Sequence, residues 1–295
     1  MKRFLSPLFA AGCLLASLSA ASVPKSLPAQ SRFVACARLA ELRTQPFVTK
    51  LLDMFKFERD MALGQLMMMS GLDWNTVDNV WLAVEKKDYG VVVLQGKFNA
   101  AAIEAAVSKN SMVHRETLTG ADLAVSFKPG DVAALVGDSV IVMGKTTLVQ
   151  TFLENYKGEG AGLDGDKWAK VNAMADAKAA IHAVLFEVYA GDTNHAPWLR
   201  NLLNGEISAE VQDNIGLNLM LGFASAEQAA ALEQTVNGWI NLVKTFASPA
   251  TGEALKKLVL DSIAVSHDGA GFTLNAALPG DELLKLIAER KNGKG

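Results

Sequence analysis

The chain repeats itself. Asp78-Asn79-Val80-Trp81-Leu82 returns as Asp213-Asn214-Ile215-Gly216-Leu217, each opening an apolar run of strand character. Pro46-Phe47 followed by Leu51-Leu52 returns as Pro197-Trp198 followed by Leu202-Leu203. A Gly137-Asp138 turn between two apolar strands returns as Asp268-Gly269. These three cues are offset by 135, 151 and 131 positions, which predicts tandem copies of a unit of about 130–150 residues, an ordinary domain size. The predicted limits are 30–157 for the first unit, 158–178 for a linker with a short helix, 179–290 for the second unit and 291–295 for a loose tail. Units of this size can bury cores of their own.

Local patterns fill each unit in. Phe33 to Arg38 reads as a strand, and Pro46 suits the first position of a helix because its missing N–H costs nothing there. Phe47, Leu51, Phe55, Ala62, Leu66 and Met69 recur at helical spacing and predict a core-facing stripe, with Gly64 weakening or dividing the helix. Trp81–Val84 and Val91–Phe98 form a hairpin, and Asn99 caps a helix over Ala100–Val107. His114–Leu118, Leu123–Phe127 and the Val132–Met143 hairpin follow. Thr146 or Thr147 then caps a closing helix, Leu148–Tyr156. In the second unit the strand Ala180–Val188 precedes a helix led by Pro197, then a long strand from Asn214 to Ala224. Ser225 with Gln228 spells a capping box for a helix reaching about Phe246. A short helix over Gly252–Leu260, a hairpin over Ile263–Leu278 and a last helix over Asp281–Arg290 complete it. The first unit carries an extra hairpin where the second has a longer helix. The class is therefore α+β: two tandem related units, each a mostly antiparallel sheet with helices packed on one face.

The N-terminus reads as an export signal over residues 1–21: Lys2 and Arg3, an apolar stretch from Phe4 to Leu18, then small Ser19-Ala20-Ala21. Ala10-Ala11-Gly12-Cys13 resembles a site at which bacterial lipoproteins are acylated, which makes a lipid anchor on Cys13 the alternative. The apolar run continues through Leu14, Leu15 and Leu18, which suits conventional cleavage better. The expected location is periplasmic or extracellular. No later stretch approaches the ~20 apolar residues of a membrane span, so no transmembrane segment is expected in the mature chain. Cys36 is then the one remaining cysteine, and packing rather than disulfides must hold the fold. The net charge is −3 with no cluster of Lys or Arg, which argues against nucleic acid as a partner.

Motifs of chemistry fail on context. Ser139 to Thr146 ends like a phosphate-binding loop, but Ser139 replaces the first Gly and the intervening residues are strand-like. Gly160-Ala-Gly162-Leu-Asp-Gly165 spells a dinucleotide fingerprint, yet it follows a helix and carries Glu159, Asp164 and Asp166, which would repel a pyrophosphate. His114, His182, His195 and His267 stand apart at spacings that make no helical metal pair. No cofactor is expected. Cys36, in a strand without a nearby base, reads as a buried inert thiol. Met54, Met61, Met67, Met68 and Met69 crowd one helix. Core filling is the first reading, an adaptable apolar contact surface of Met61, Met67, Met68 and Met69 the second, and thioether copper(I) binding the third.

Three stretches, Phe33–Leu52, Val91–Val107 with its Gly96-Lys97-Phe98-Asn99 junction, and Val136–Phe152, resemble a class of uncharacterised exported bacterial proteins of unknown function. The resemblance implies a similar build over most of the mature chain and carries over no functional residue. The function expected is that of an exported, non-catalytic binding or interaction protein, acting through surfaces or a groove between its units on a partner protein or an apolar small molecule. A periplasmic carrier of an apolar ligand or lipid is one alternative. A hydrolytic enzyme whose site is hidden in the sequence is the other.

Overall fold

The computed structural model describes residues 22–188, 201–246, 260 and 262–291. The expected signal peptide with Cys13, His195, the start of the Pro197 helix, the helix over 252–260 apart from Leu260, and the tail beyond Lys291 lie outside the described residues.

Strand-forming runs pair into one antiparallel sheet. In chain order these are β1 (Phe33–Arg38), β2 (Val77–Lys86), β3 (Tyr89–Gly96), β4 (His114–Glu116), β5 (Leu123–Lys128), β6 (Asp131–Val136) and β7 (Val140–Lys145). Then come β8 (Ile181–Leu185), β9 (Leu202–Val211), β10 (Asn214–Phe223), β11 (Ile263–Asp268) and β12 (Gly271–Pro279). The order across the twelve-stranded sheet is β11-β12-β10-β9-β8-β1-β2-β3-β7-β6-β5-β4. It reads alike outward from the β8/β1 seam: three meandering strands, then a hairpin whose second strand docks beside the third. Among the described strands only the β4/β5 hairpin lacks a counterpart, as expected for the extra hairpin. The seam itself is antiparallel, with Val34 opposite Val184 and Cys36 opposite His182.

Two of the three sequence cues are out of register with this order. Asp78-Asn79 lies in β2 and Asn214 opens β10, whereas the position matching β2 is held by β9. Leu202-Leu203 begins β9 and so does not continue a helix like Leu51-Leu52. The Gly137-Asp138 and Asp268-Gly269 turns do occupy matching hairpins, β6/β7 and β11/β12.

The helices are α1 (Ser22–Ser26), α2 (Leu39–Leu42), α3 (Pro46–Met54), α4 (Lys56–Ser70), α5 (Ala100–Lys109), α6 (Thr146–Tyr156), α7 (Gly165–Asp176), α8 (Ala226–Phe246) and α9 (Gly280–Lys291). Several caps follow the sequence. Asn99 accepts the Ala102 N–H, and Pro46 sits at the start of α3. Others do not. The break between α3 and α4 falls at Phe55, while Gly64 lies inside α4. Lys145, not a threonine, precedes α6 and makes no side-chain cap. At α8 the Ser225 side chain donates to the Glu227 carboxylate, and the buried Gln228 Oε1 has no partner, so the capping box is not formed.

The layering is richer than helices on one face. Strand residues alternate between faces, and the middles of β3 and β7, Val91–Leu94 and Val140–Met143, are apolar without interruption: Val91 and Val93 enter one core, Val92 and Leu94 the other. A strand greasy on both sides must be covered on both sides. On the first face, α1, α6 and α7 close over β1–β3, β6 and β7, with Val23, Phe152, Leu153 and Val171 at the centre. On the second face, Ile103 of α5 with Phe98 and Leu72 covers Leu94, Leu135 and Ile141. Further along that same face, Ala229 of α8 packs on Leu221 and Phe272. The region expected as a linker is packed too, with Leu163 buried and α7 in the core.

Candidate functional site: an open apolar strip and its two end cavities

Cross-strand register fixes what lies on the second face. One row runs Leu217–Ala209–Ile181–Ala37–Val80–Leu94, and the next runs Leu219–Ile207–Ala183–Ala35–Leu82–Val92. Both rows are apolar throughout. Helix α5 covers the Leu94 end and α8 the outer strands, but the middle is open. Ile207 is 42% exposed, Ile181 40% and Leu217 37%. Contiguous exposed apolar surface of this kind marks binding sites more often than scattered single residues do.

A cavity lies at each end of the strip. One, of about 370 Å³, sits under α8 against Leu219, Leu221, Phe272 and Leu274, with Trp239 at its rim. The unpartnered Gln228 Oε1 belongs to a residue of its wall. The other, of about 540 Å³, is enclosed by Leu39 and Leu42 of α2, Phe47 and Leu52 of α3, Leu63 of α4, Trp74, and the strand residues Ile181 and Val211. Both volumes fall in the range of about 300–1,000 Å³ typical of small-molecule sites. Arg43 and Arg59 bring cations to the second cavity. Arg59 is neutralised by Asp60, which accepts from its Nε at 2.9 Å and Nη2 at 2.8 Å.

The first face changes character at the seam. From β8 outward, its row reads His182–Ser208–Asn218–Asn275, polar throughout. His182 Nε2 meets Glu206 Oε1 at 2.6 Å, Asn218 donates to Asn275 at 2.6 Å, and a shallow depression lies over Gly216 and Ala277. His267 pairs with Glu233 of α8, tying that helix to β11. His114 is exposed on β4. Among the described residues no three of His, Cys, Asp and Glu converge to hold a metal ion.

The residues singled out in the sequence lie elsewhere. Met61, Met67, Met68 and Met69 are between 54% and 75% exposed, and α4 has no buried residue. The core stripe expected for them is overturned beyond Phe47. Only Arg59, Leu63 and Ser70 of α4 are even half-buried, because its inner side touches α5 and the cavity rather than the sheet. Cys36 is buried, and burial pushes its thiol up to about 12. The Ser139–Thr146 segment is strand β7 running into α6, its backbone paired with β3 and β6. The strip residues Ile181, Ile207 and Leu217 escaped the sequence reading. The signal was there in β9, where Ile207, Ala209 and Val211 alternate with Glu206, Ser208 and Glu210.

A single large antiparallel sheet clad by helices, with an apolar strip left open, defines an α+β fold shared with known structures. The chain is similar to the treponemal protein TP0453 in crystal form III, at a TM-score of 0.57 and 7% identity over 91% of this chain and 98% of that one. Crystal forms I and IV of TP0453 give TM-scores of 0.53 and 0.55 at 7% and 8% identity, over 91% of this chain and 96% and 98% of theirs. At such identity the likeness is one of fold. No family model matches the chain, and no curated protein does. No described helix is long and apolar enough to cross a membrane.

Proposed function

We propose that this chain is an exported, non-catalytic binding protein that accommodates an apolar chain, from a lipid or an apolar small molecule, along the second face of its sheet. The open patch of Ile181 and Leu217 in one row and Ile207 in the next, diagonal to both, carries the reading. Covering a large aliphatic side chain is worth about 1.5–3 kcal/mol, so leaving three exposed side by side is costly unless a ligand takes them up. The cavities at either end supply depth for the chain's termini.

Mass spectrometry of the purified protein, extracted with organic solvent, should find a bound apolar molecule. Binding of the fluorescent probe N-phenyl-1-naphthylamine should weaken at least tenfold in Ile207→Asp and Leu217→Asp, with circular dichroism unchanged. Wild-type affinity in both folded variants would reject the strip as the site. The mass of the mature N-terminus tests export.

A second reading, contact with a partner protein, is favoured by α4 alone, whose Met61, Met67, Met68 and Met69 form an adaptable apolar surface. Replacing all four with Gln separates the two, since probe uptake should survive. We further infer that the two halves are copies of one unit, because the strand order matches outward from the seam; superposition of β1-β2-β3-β7-β6 on β8-β9-β10-β12-β11 checks it.

A further inference from the structure

The cavity between α2, α3, α4 and the ends of β8 and β9 holds a charge that its surroundings do not balance. Arg43 is half-buried and lines this cavity. Its Nη1 donates to the Trp74 carbonyl at 3.2 Å and its Nη2 to the Val77 carbonyl at 2.7 Å. Both acceptors are neutral, and among the described residues no carboxylate pairs with it. Arg59, on the same wall, is cancelled by Asp60. Among the described residues the cavity therefore carries one cation without a carboxylate partner, set among Leu, Phe, Val and Trp side chains. A half-buried charge in such a setting is stabilised most by an anion that brings apolar substance with it.

We propose that this cavity takes the head of a long-chain fatty acid, its carboxylate on Arg43 and its hydrocarbon tail leaving across Ile181 onto the open strip. The inference rests on the apolar-chain reading above and adds the head group to it. A guanidinium presents paired N–H donors that match the two oxygens of a carboxylate. Ile181 is common to the cavity wall and the strip, so head site and tail path are continuous. Asp60, half-exposed and itself part of the cavity wall, is taken up by its pair with Arg59, which leaves Arg43 as the anchor.

The test titrates the full chain with tetradecanoate and with tetradecanol, which share a tail and differ in charge. At neutral pH the acid should bind at least tenfold tighter than the alcohol. In Arg43→Met that ratio should fall to near one, and in Arg59→Gln it should persist. Arg43 also ties the Trp74 and Val77 carbonyls, so Arg43→Met could fail to fold; Arg43→Lys keeps the charge and should retain most of the preference. Equal affinity of acid and alcohol in the wild-type protein overturns the head-group assignment while leaving chain binding intact. Failure of both to bind, together with failure of the naphthylamine probe, overturns the apolar-chain reading itself.

Discussion

Cys36 shows what the seam does to one side chain. It lies opposite Trp81 on one side and His182 on the other, under the first-face core. Burial pushes its thiol to about 12, and the Arg38 charge opposes this without reversing it. At pH 8 only about one molecule in ten thousand would carry the reactive thiolate. Folded protein should therefore react with a thiol reagent such as dithionitrobenzoate at least a hundredfold more slowly than protein unfolded in urea. Comparable rates in the two states would contradict the burial described. The inert character of this residue was legible in sequence, because a lone cysteine in an apolar strand has few other roles. That Arg43 has no carboxylate partner among the described residues was not, since its surroundings become visible only once Trp74, Val77 and the cavity walls are assembled around it.

Among elements, α6 and α4 make the clearest contrast. Four residues of α6 are buried, and Phe152, stacked on Tyr156 with centroids 5.8 Å apart, is fully enclosed. Phe152→Ala should cost about 3–5 kcal/mol, through lost transfer energy and the cavity left behind. Met68→Ala should change stability by no more than about 0.5 kcal/mol, as for surface positions generally. Urea unfolding of the two variants measures both, and a loss at Met68 equal to that at Phe152 would place α4 in a core after all. Periodicity located both helices in the sequence but not which of them had a partner. An apolar stripe says that a face prefers burial; it does not say that the chain supplies something to bury it. The same limit explains β9. The Pro197-Trp198 cue pulled Leu202-Leu203 into a helix, although the Ile207/Ala209/Val211 alternation beyond it is that of a half-covered strand.

Taken whole, the molecule depends on contacts between its distant ends. Helix α9 docks on α3 and α4 through Lys50–Asp281 at 2.8 Å and Lys291–Glu58 at 3.1 Å. The hydrogen bond from Lys50 holds Asp281 below the usual carboxylate range, and a backbone hydrogen bond, then Lys291, holds Glu58 low. A carboxylate depressed in the folded state stabilises above its unfolded value, near about 4, and loses that contribution as pH falls through its folded value. The raised Lys50 behaves oppositely, contributing at neutral pH and losing its effect only in strong alkali. Protection factors of the amides in Gly280–Lys291, taken relative to intrinsic exchange at each pH, should therefore fall below about pH 4, ahead of those of the central strands. Protection of α9 that holds steady into that range would show that apolar contact alone seats it. The seam was the part of this architecture least legible in sequence. Short, alanine-containing strands such as β1 and β8 carry no mark of a partner some 150 residues away.

That seam has a consequence for synthesis. The earliest strand of the chain ends up in the middle of the finished sheet, so one side of β1 stays unpaired until Ile181–Leu185 has been made. A nascent or truncated chain stopping before that point bears a raw hydrogen-bonding border of Val34 and Cys36, ready to zip onto a sister chain. The later half thus serves the earlier one as its built-in chaperone.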